Sequence, residues 1–521
     1  MKDNIVGTLR RFYGLKFPGA NLEQRLNGIR NSLVVSRCKS HIAMLNEEKY
    51  TEVETLSQET TNFSWLQRVA PGFPADGSKI TIIHKPSEFY SLLVKKCRTA
   101  QFRITLASLY LGTGKLEADL VEAIRSNLQN TSDGNLKVKI LLDYMRGSRG
   151  QHNSRTMLKP LLDRQWAEFC SISLYHTPKL RGFLKAIIPQ RFNELIGLQH
   201  MKLYIFDDTL VISGANLSHG YFTNRQDRYV VIEDCKDLCD FYSKIVDRVC
   251  EFSFRLLPDG SETFDSDISK HPFKGKRKEF TNAVAARIKS LFENEMRKRS
   301  EITKHDSVSE ADTWIFPLIE MGQLNIKHDS MVTLKLIQSA PAGATLRLAT
   351  GYFNLIPAYK KALINNSRAN FQLLTAHPTA NGFFGAKGVA GSIPAAYTKI
   401  EKSFCKACEA VGQEKRVTLW EFARTGWTYH AKGLWYTLPG HQKPCLTLIG
   451  SPNFGYRSVS KDLETQVALV TKNERLQEAL QNEQARLFSS ACPVNSQSFT
   501  GRDRAVPIWV CAAVVLFRYF F

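Results

Sequence analysis

Two distant stretches of the chain repeat one order of apolar and polar positions. Phe102–Leu111 is an apolar run of strand length, and Leu116–Ile124 follows it with apolar residues at helical spacing. Far downstream, Thr345–Phe353 and Ala358–Ile364 do the same. Each half then continues with a second strand, Leu136–Leu142 and Asn370–Thr375, and a third, Ser171–Tyr175 and Val417–Glu421. Each pair reads as a buried strand feeding a helix, so the pattern predicts an α/β fold built as two similar tandem lobes.

The spaces between these runs set the expected boundaries. Asp259–Asp267 is polar and turn-rich, and Lys274, Lys276, Arg277 and Lys278 form a basic knot. A helix is expected over Phe280–Arg299, with Phe280, Val284, Ile288, Leu291 and Phe292 on one face, as a bridge packed on a lobe. The division is then an extension over 1–60, a first lobe over 61–257, a linker and bridging helix over 258–310, a second lobe over 311–490 and a tail over 491–521. The tail carries the 13 apolar residues Ala505–Phe517. That is short of the roughly 20 needed to cross a bilayer, which leaves an interfacial anchor or a packed terminal element.

Composition narrows the partners. With 521 residues, 43% hydrophobic, the chain has material for two or more large cores. Its 70 basic residues against 49 acidic ones give a net charge of +21, which calls for anionic partners such as nucleic acid, an anionic membrane surface or phosphorylated small molecules. Of 11 cysteines, only Cys405 and Cys408 make a CxxC pair, with no second pair to complete a zinc site, so unbridged thiols are expected. The first 40 residues hold eight basic residues against Asp3 and Glu23, interleaved with apolar ones, a composition shared by mitochondrial targeting segments and solvated basic helices.

The chemistry concentrates in a repeated tripeptide. His200-Met-Lys202 is followed by Gly214-Ala-Asn216, and His430-Ala-Lys432 by Gly450-Ser-Pro-Asn453. Each is expected to open a strand, so that the histidine and lysine share one face, with an Asp207-Asp208 turn in the first copy and a Pro439-Gly440 turn in the second. One neutral imidazole can attack phosphorus, and a second, protonated one can serve the departing and incoming oxygens. Lys202, Lys432, Asn216 and Asn453 are donors suited to non-bridging oxygens. Gly112-Thr113-Gly114 opens a helix after a strand, where a phosphate contact competes with a plain strand–helix turn. Arg146 either holds a substrate phosphate or pairs with Asp143.

These residues resemble the phospholipase D superfamily, whose HxKxxxxD element occurs twice per active site. His200, Lys202 and Asp207 match it, whereas Thr437 stands where the second copy would carry its aspartate. The resemblance implies two phospholipase D-like α/β sandwich lobes related by pseudo-two-fold symmetry around one shared site. It also implies acidic residues that orient the histidines; Asp227 and Glu464 sit at suitable offsets, and which serves which is open. The likeness narrows through Pro189–Lys202, Phe222–Tyr229, Ala107–Gly112, Ala380–Phe383 and Trp427–Gly433 to the eukaryotic mitochondrial phosphatidylglycerophosphate synthase family. That implies transfer of a phosphatidyl group from CDP-diacylglycerol to glycerol 3-phosphate with release of CMP, on the route to cardiolipin. It further implies a matrix-side mitochondrial location, a peripheral contact with an anionic membrane, no required cofactor or metal and no nucleic-acid partner. The alternative is another phosphodiesterase of the superfamily: a phosphatidylserine synthase, a phospholipase D or a nuclease. Because the first copy is complete, His200 is expected to be the nucleophile and His430 the acid and then base.

Overall fold

The computed structural model describes residues 62–131, 134–188, 193–264, 271–305, 311–501, 504–517 and 519. The basic amino-terminal extension and Pro189–Phe192 lie outside them. Seven of the nine strands in the first sheet set its repeat: β1 (Ile80–Ile83), β2 (Arg103–Ala107), β3 (Lys137–Asp143), β4 (Cys170–Tyr175), β5 (Leu203–Phe206), β6 (Thr209–Ser213) and β7 (Tyr229–Ile232). They lie in the order β4-β3-β2-β5-β6-β7-β1. The second repeat contributes β8 (Thr313–Met321), β9 (Thr345–Ala349), β10 (Asn370–Ala376), β11 (Val417–Phe422), β12 (Gly433–Thr437), β13 (Leu446–Gly450) and β14 (Leu463–Thr471), in the order β11-β10-β9-β12-β13-β14-β8. The two orders are the same, position for position.

In each sheet the first three long strands run parallel, with Arg103 opposite Lys137 and Thr345 opposite Asn370, and the next strands return antiparallel. The parallel strands are covered on both faces, which is why they read as apolar runs rather than alternating ones. The crossover after β2 is helix α1 (Lys115–Asn130). After β9 the helix Pro357–Lys361 passes into a π-helical turn, Ala362–Asn366.

Neither lobe is closed on itself. The strand Phe73–Ala75 precedes the first sheet yet pairs antiparallel with β8 of the second. Phe63, Trp65, Leu66 and Phe73 are buried in the core that holds Trp314, Ile315 and Phe316. Within the expected first lobe over 61–257, the strand Phe73–Ala75 thus adds to the second sheet, while Phe73 also meets Phe241 of the first repeat at 5.6 Å. Helix α2 (Arg277–His305) buries Phe280, Val284, Ile288 and Phe292. Phe280 meets Phe252 edge-on at 6.0 Å, while Phe292 meets Phe241 at 5.8 Å and His328 at 4.8 Å, so the bridge packs on both lobes.

A buried cation fastens the seam. Arg228, beside β7, donates to Glu483 through Nε at 2.9 Å and Nη2 at 2.8 Å, and to the Leu448 carbonyl and Thr447 Oγ1 at 2.8 Å each. Its guanidinium lies 3.9 Å from the Trp435 ring centre, and the indole itself donates to Glu483. At the far end, helix α3 (Ile508–Phe517) buries Val510 and Val514, so the tail is a packed terminal element on one side, while Ile508, Trp509, Val515, Leu516 and Phe517 face outward. Among the described residues no helix is long and apolar enough to cross a membrane. Cys405 and Cys408 are buried free thiols.

Candidate active site

The two histidines do not sit in their own sheets. β5 begins at Leu203 and β12 at Gly433, so both His-x-Lys segments lie just before a strand and not in it as expected. The reason is non-local. The His200 N–H donates to the Leu463 carbonyl at 2.8 Å, and the Leu463 N–H donates to the Leu198 carbonyl at 2.8 Å. The His430 N–H donates to the Gln226 carbonyl at 2.8 Å, and Thr428 and Tyr429 pair in parallel with Arg225 and Gln226. Each histidine segment is thus a short strand of the opposite lobe, and the alternation of faces assumed for a regular strand does not apply: Lys202 and Met201 are both buried.

This exchange settles how the carboxylates pair. Leu463 precedes Glu464 and Gln226 precedes Asp227, so each crossing brings an acid from one lobe to the imidazole of the other. His200 Nδ1 lies 2.9 Å from Glu464 Oε2, and His430 Nδ1 lies 2.7 Å from Asp227 Oδ2. Among the described residues Nε2 of His200 has no hydrogen-bond partner, and this ring is the more open of the two, 13% exposed against 5%. His430 Nε2 faces the Tyr221 hydroxyl at 3.3 Å.

The electrostatics of the site favour neutral rings. Burial lowers His200 below its ordinary value, partly offset by Glu464. His430 is lowered further, by burial and then by the charges of Lys432, Arg225 and Lys202. Burial also pulls Lys432 down to about 8 and Lys202 well below the usual ammonium range, with Glu464 and Asp227 opposing it in both. Asp227 is pushed up to about 6 by burial, against the pull of Lys432, whereas Glu464 is held below its ordinary value. The burial that raises Glu464 is outweighed by the attraction of His200 and Lys202. Lys432 Nζ lies 2.7 Å from His430 Nδ1 and 3.1 Å from Nε2, and Lys202 Nζ donates to the His200 carbonyl at 2.8 Å. Two imidazoles, two lysines and two acids therefore share one polar cluster at the carboxyl ends of the parallel strands.

Other expected residues fall elsewhere. Asp207 turns the chain at the opposite end of β5, with φ +50°, and its carboxylate accepts from the backbone N–H groups of Gln101, Phe102 and Arg103. It is a loop-fastening residue and not part of the cluster, because the strand runs away from His200. Asn216 is beside the site: its Nδ2 donates to the Tyr221 hydroxyl at 3.0 Å. Asn453 accepts from Thr350 Oγ1 at 3.1 Å and lines a small cavity with Glu320 and Asp329. The Gly112-Thr113-Gly114 loop is a plain strand–helix turn. The carboxyl group of Glu117 packs against Gly112 and accepts from the His219 N–H. Arg146 lies over the Tyr110 ring at 4.1 Å and 3.9 Å from Glu194, while Asp143 receives the Arg146 and Gln199 amides.

Sequence reasoning missed three groups here. Arg228 reads as surface charge but is buried. Tyr221 and Tyr352 stand edge-on to the His430 ring at 5.0 and 5.8 Å. Arg225 lies over Tyr221 at 4.7 Å. A signal was available in the equal spacing of the two copies, since Asn216 to Asp227 and Asn453 to Glu464 are both 11 positions.

No family model matches the chain. The human mitochondrial CDP-diacylglycerol–glycerol-3-phosphate 3-phosphatidyltransferase is 46% identical over 482 residues, covering 88% of this chain and 86% of its own. The protein of that activity from Saccharomyces cerevisiae is 34% identical over 465 residues, covering 84% and 87%. Among solved structures, the phosphatidylserine synthase of Haemophilus influenzae matches with a TM-score of 0.64 at 17% identity, over 89% of this chain and 97% of its own. At that identity the likeness speaks to the fold: two phospholipase D-like α/β lobes.

Proposed function

The chain belongs to the CDP-diacylglycerol–glycerol-3-phosphate 3-phosphatidyltransferase family, and on that premise we propose how its two crosswise histidines carry out the transfer. The reaction moves the phosphatidyl group of CDP-diacylglycerol to glycerol 3-phosphate and releases CMP. In the first displacement Nε2 of His200 attacks the phosphatidyl phosphorus, the bond to the CMP oxygen breaks, and His430 gives that oxygen a proton. In the second, the acceptor hydroxyl gives its proton to His430 and attacks the same phosphorus, and the bond to His200 breaks. The observation that carries this reading is the pair of crossed contacts, His200 to Glu464 and His430 to Asp227, with Nε2 of His200 left open.

Each residue then has a physical task. Glu464 fixes the tautomer of His200 and stabilises the positive charge that grows on the ring as phosphorus bonds to it. Lys202 and Lys432 face the non-bridging oxygens, where charge accumulates in the transition state. His430 is held neutral by burial first and then by neighbouring cations. The negative charge of the CDP pyrophosphate opposes those cations, so His430 takes up its proton as the donor binds.

The mitochondrial location carried in the names of the human and mouse relatives extends to this chain, and its matrix side is part of the same proposal. So is peripheral contact with an anionic membrane, which the +21 charge suits. No nucleic-acid partner and no cofactor beyond the CDP of the donor are invoked.

The test is CMP release from CDP-diacylglycerol with glycerol 3-phosphate, serine or water offered in turn, followed by trapping without acceptor. Glycerol 3-phosphate should stimulate release far more than the others. Radiolabelled phosphatidyl should stay on the chain in His430→Asn and be absent in His200→Asn. Label mapping to His430 reverses the roles, and stimulation by serine alone refutes the acceptor.

A further inference from the structure

Two motifs that carry the family likeness, Phe222–Tyr229 and Ala380–Phe383, hold residues that the mechanism above does not use, and the fold brings them together. Arg225, from the first, is half-buried and donates through Nε to Thr428 Oγ1 at 3.0 Å, across the lobe seam. Its guanidinium lies on the Tyr221 ring, and Tyr221 in turn meets His430 edge-on. The cation therefore stands one aromatic ring beyond His430. No carboxylate pairs with it among the described residues, which is unusual for a guanidinium withdrawn from water.

The neighbouring space is kept open. A Cβ on Gly382, from the second motif, would come within 3.2 Å of the Tyr352 hydroxyl and 3.4 Å of Arg225 Nη2. Glycine there leaves a gap flanked by a phenol and by a guanidinium with donors to spare. The pseudo-symmetric position sharpens the contrast. Counting nine positions from each asparagine, Arg225 corresponds to Asp462, which accepts from the Leu198 N–H at 3.0 Å and lies 3.4 Å from Arg457 Nε. Among the described residues Arg457 on the His200 side is thus paired with a carboxylate, whereas Arg225 on the His430 side is not.

We propose that Arg225, Tyr352 and the space over Gly382 form the subsite for the phosphate monoester of the acceptor. The inference rests on the transfer reading above. In the second displacement the acceptor hydroxyl must lie at His430, where it loses its proton. The P–N bond to His200 breaks as the P–O bond forms, and the acceptor phosphate lies a few bonds further out. A guanidinium one ring beyond His430 meets that phosphate with charge-assisted hydrogen bonds and gives neutral hydroxyl acceptors nothing comparable. Arg225 is accordingly a specificity determinant for acceptors that carry a phosphate.

The experiment uses the full chain in mixed micelles of detergent and CDP-diacylglycerol. CMP release is measured with glycerol 3-phosphate and with glycerol, and CMP exchange into CDP-diacylglycerol without acceptor. Arg225→Leu should raise KM for glycerol 3-phosphate by about 10- to 100-fold, the worth of one or two charge-assisted bonds. Arg225→Lys should recover part of that loss, and in Arg225→Leu exchange and the KM for CDP-diacylglycerol should change by a smaller factor than the KM for glycerol 3-phosphate. Gly382→Ala, which fills the gap without removing charge, should raise the same KM and serves if Arg225→Leu does not fold. Equal losses with glycerol and glycerol 3-phosphate overturn the proposal, as does an equal rise in KM for CDP-diacylglycerol, which would move the cation to the donor. A wild-type chain that ignores glycerol 3-phosphate refutes the transfer reading instead.

Discussion

Glu464 and Asp227 are buried acids that each meet the opposite lobe's imidazole, and their replacement separates orientation from charge. Glu464→Gln keeps the shape but removes the charge and lets an amide NH2 face Nδ1 in place of an acceptor-only carboxylate, so turnover should fall by about 10²–10⁴. Burial lowers His200 and Glu464 raises it, so the sign of the pH effect follows. The acid limb of kcat/KM for CDP-diacylglycerol should lie below the ordinary imidazole value of about 6.5 in the wild type. In Glu464→Gln it should move lower still, because the group that favours the protonated ring is gone. A pH profile whose limb moves upward, or turnover above a tenth of wild type, contradicts this role. Asp207 is the contrasting case. It matches a family motif, yet its carboxylate holds three backbone amides at the far end of β5. Asp207→Ala should cost about 1–3 kcal/mol, read from a urea midpoint, while kcat stays within about twofold. A collapse of kcat at unchanged stability would restore it to the chemistry.

At the scale of elements, the strands were legible because covered parallel strands must be apolar on both faces, and the helices because a half-buried helix must be apolar at 3.6-residue spacing. Phe280, Val284, Ile288 and Phe292 were picked from spacing alone and are buried in α2. The histidine segments were misread as regular strands, since their partners lie more than 200 positions away and a local pattern does not carry that information. Arg228 was invisible for a related reason: nothing near it in the chain announces Glu483. With Nε and both terminal nitrogens engaged and no exposure, Arg228→Leu strands the Glu483 carboxylate in the core. The expected loss is about 3–5 kcal/mol, measured by denaturant unfolding, with Glu483→Gln in the same background recovering part of it. Gly433 belongs to the same seam. Its φ of +124° and its approach to the Leu448 carbonyl and Arg228 leave no room for a side chain, which is the physical content of the glycine that follows His430-Ala-Lys432.

For the whole molecule, a repeat in sequence suggested two lobes but not how far each depends on the other. The expectation of one shared site came from the family resemblance, and the structure gives it a mechanism: the exchange of short strands that carry the acids across. Neither half holds a complete histidine–carboxylate pair, and Phe63, Trp65 and Phe73 leave the first half to cover the core of the second. A chain cut at the exposed Gly275 tests that dependence directly. The piece ending at Gly275 keeps His200 and Asp227 but loses Glu464, and the piece beginning at Lys276 keeps His430 and Glu464 but loses Asp227 and the strand Phe73–Ala75. Each alone should release no CMP, and the second should be the less soluble, because the β8 edge and the aromatic cover around Trp314 are then bare. Co-expressed, the two should copurify through the Arg228–Glu483 seam and recover CMP release that depends on glycerol 3-phosphate. Activity in either piece alone would mean that a single histidine with its own lobe suffices, and copurified pieces without activity would place the essential coupling in the intact peptide link rather than in the crossed pairs.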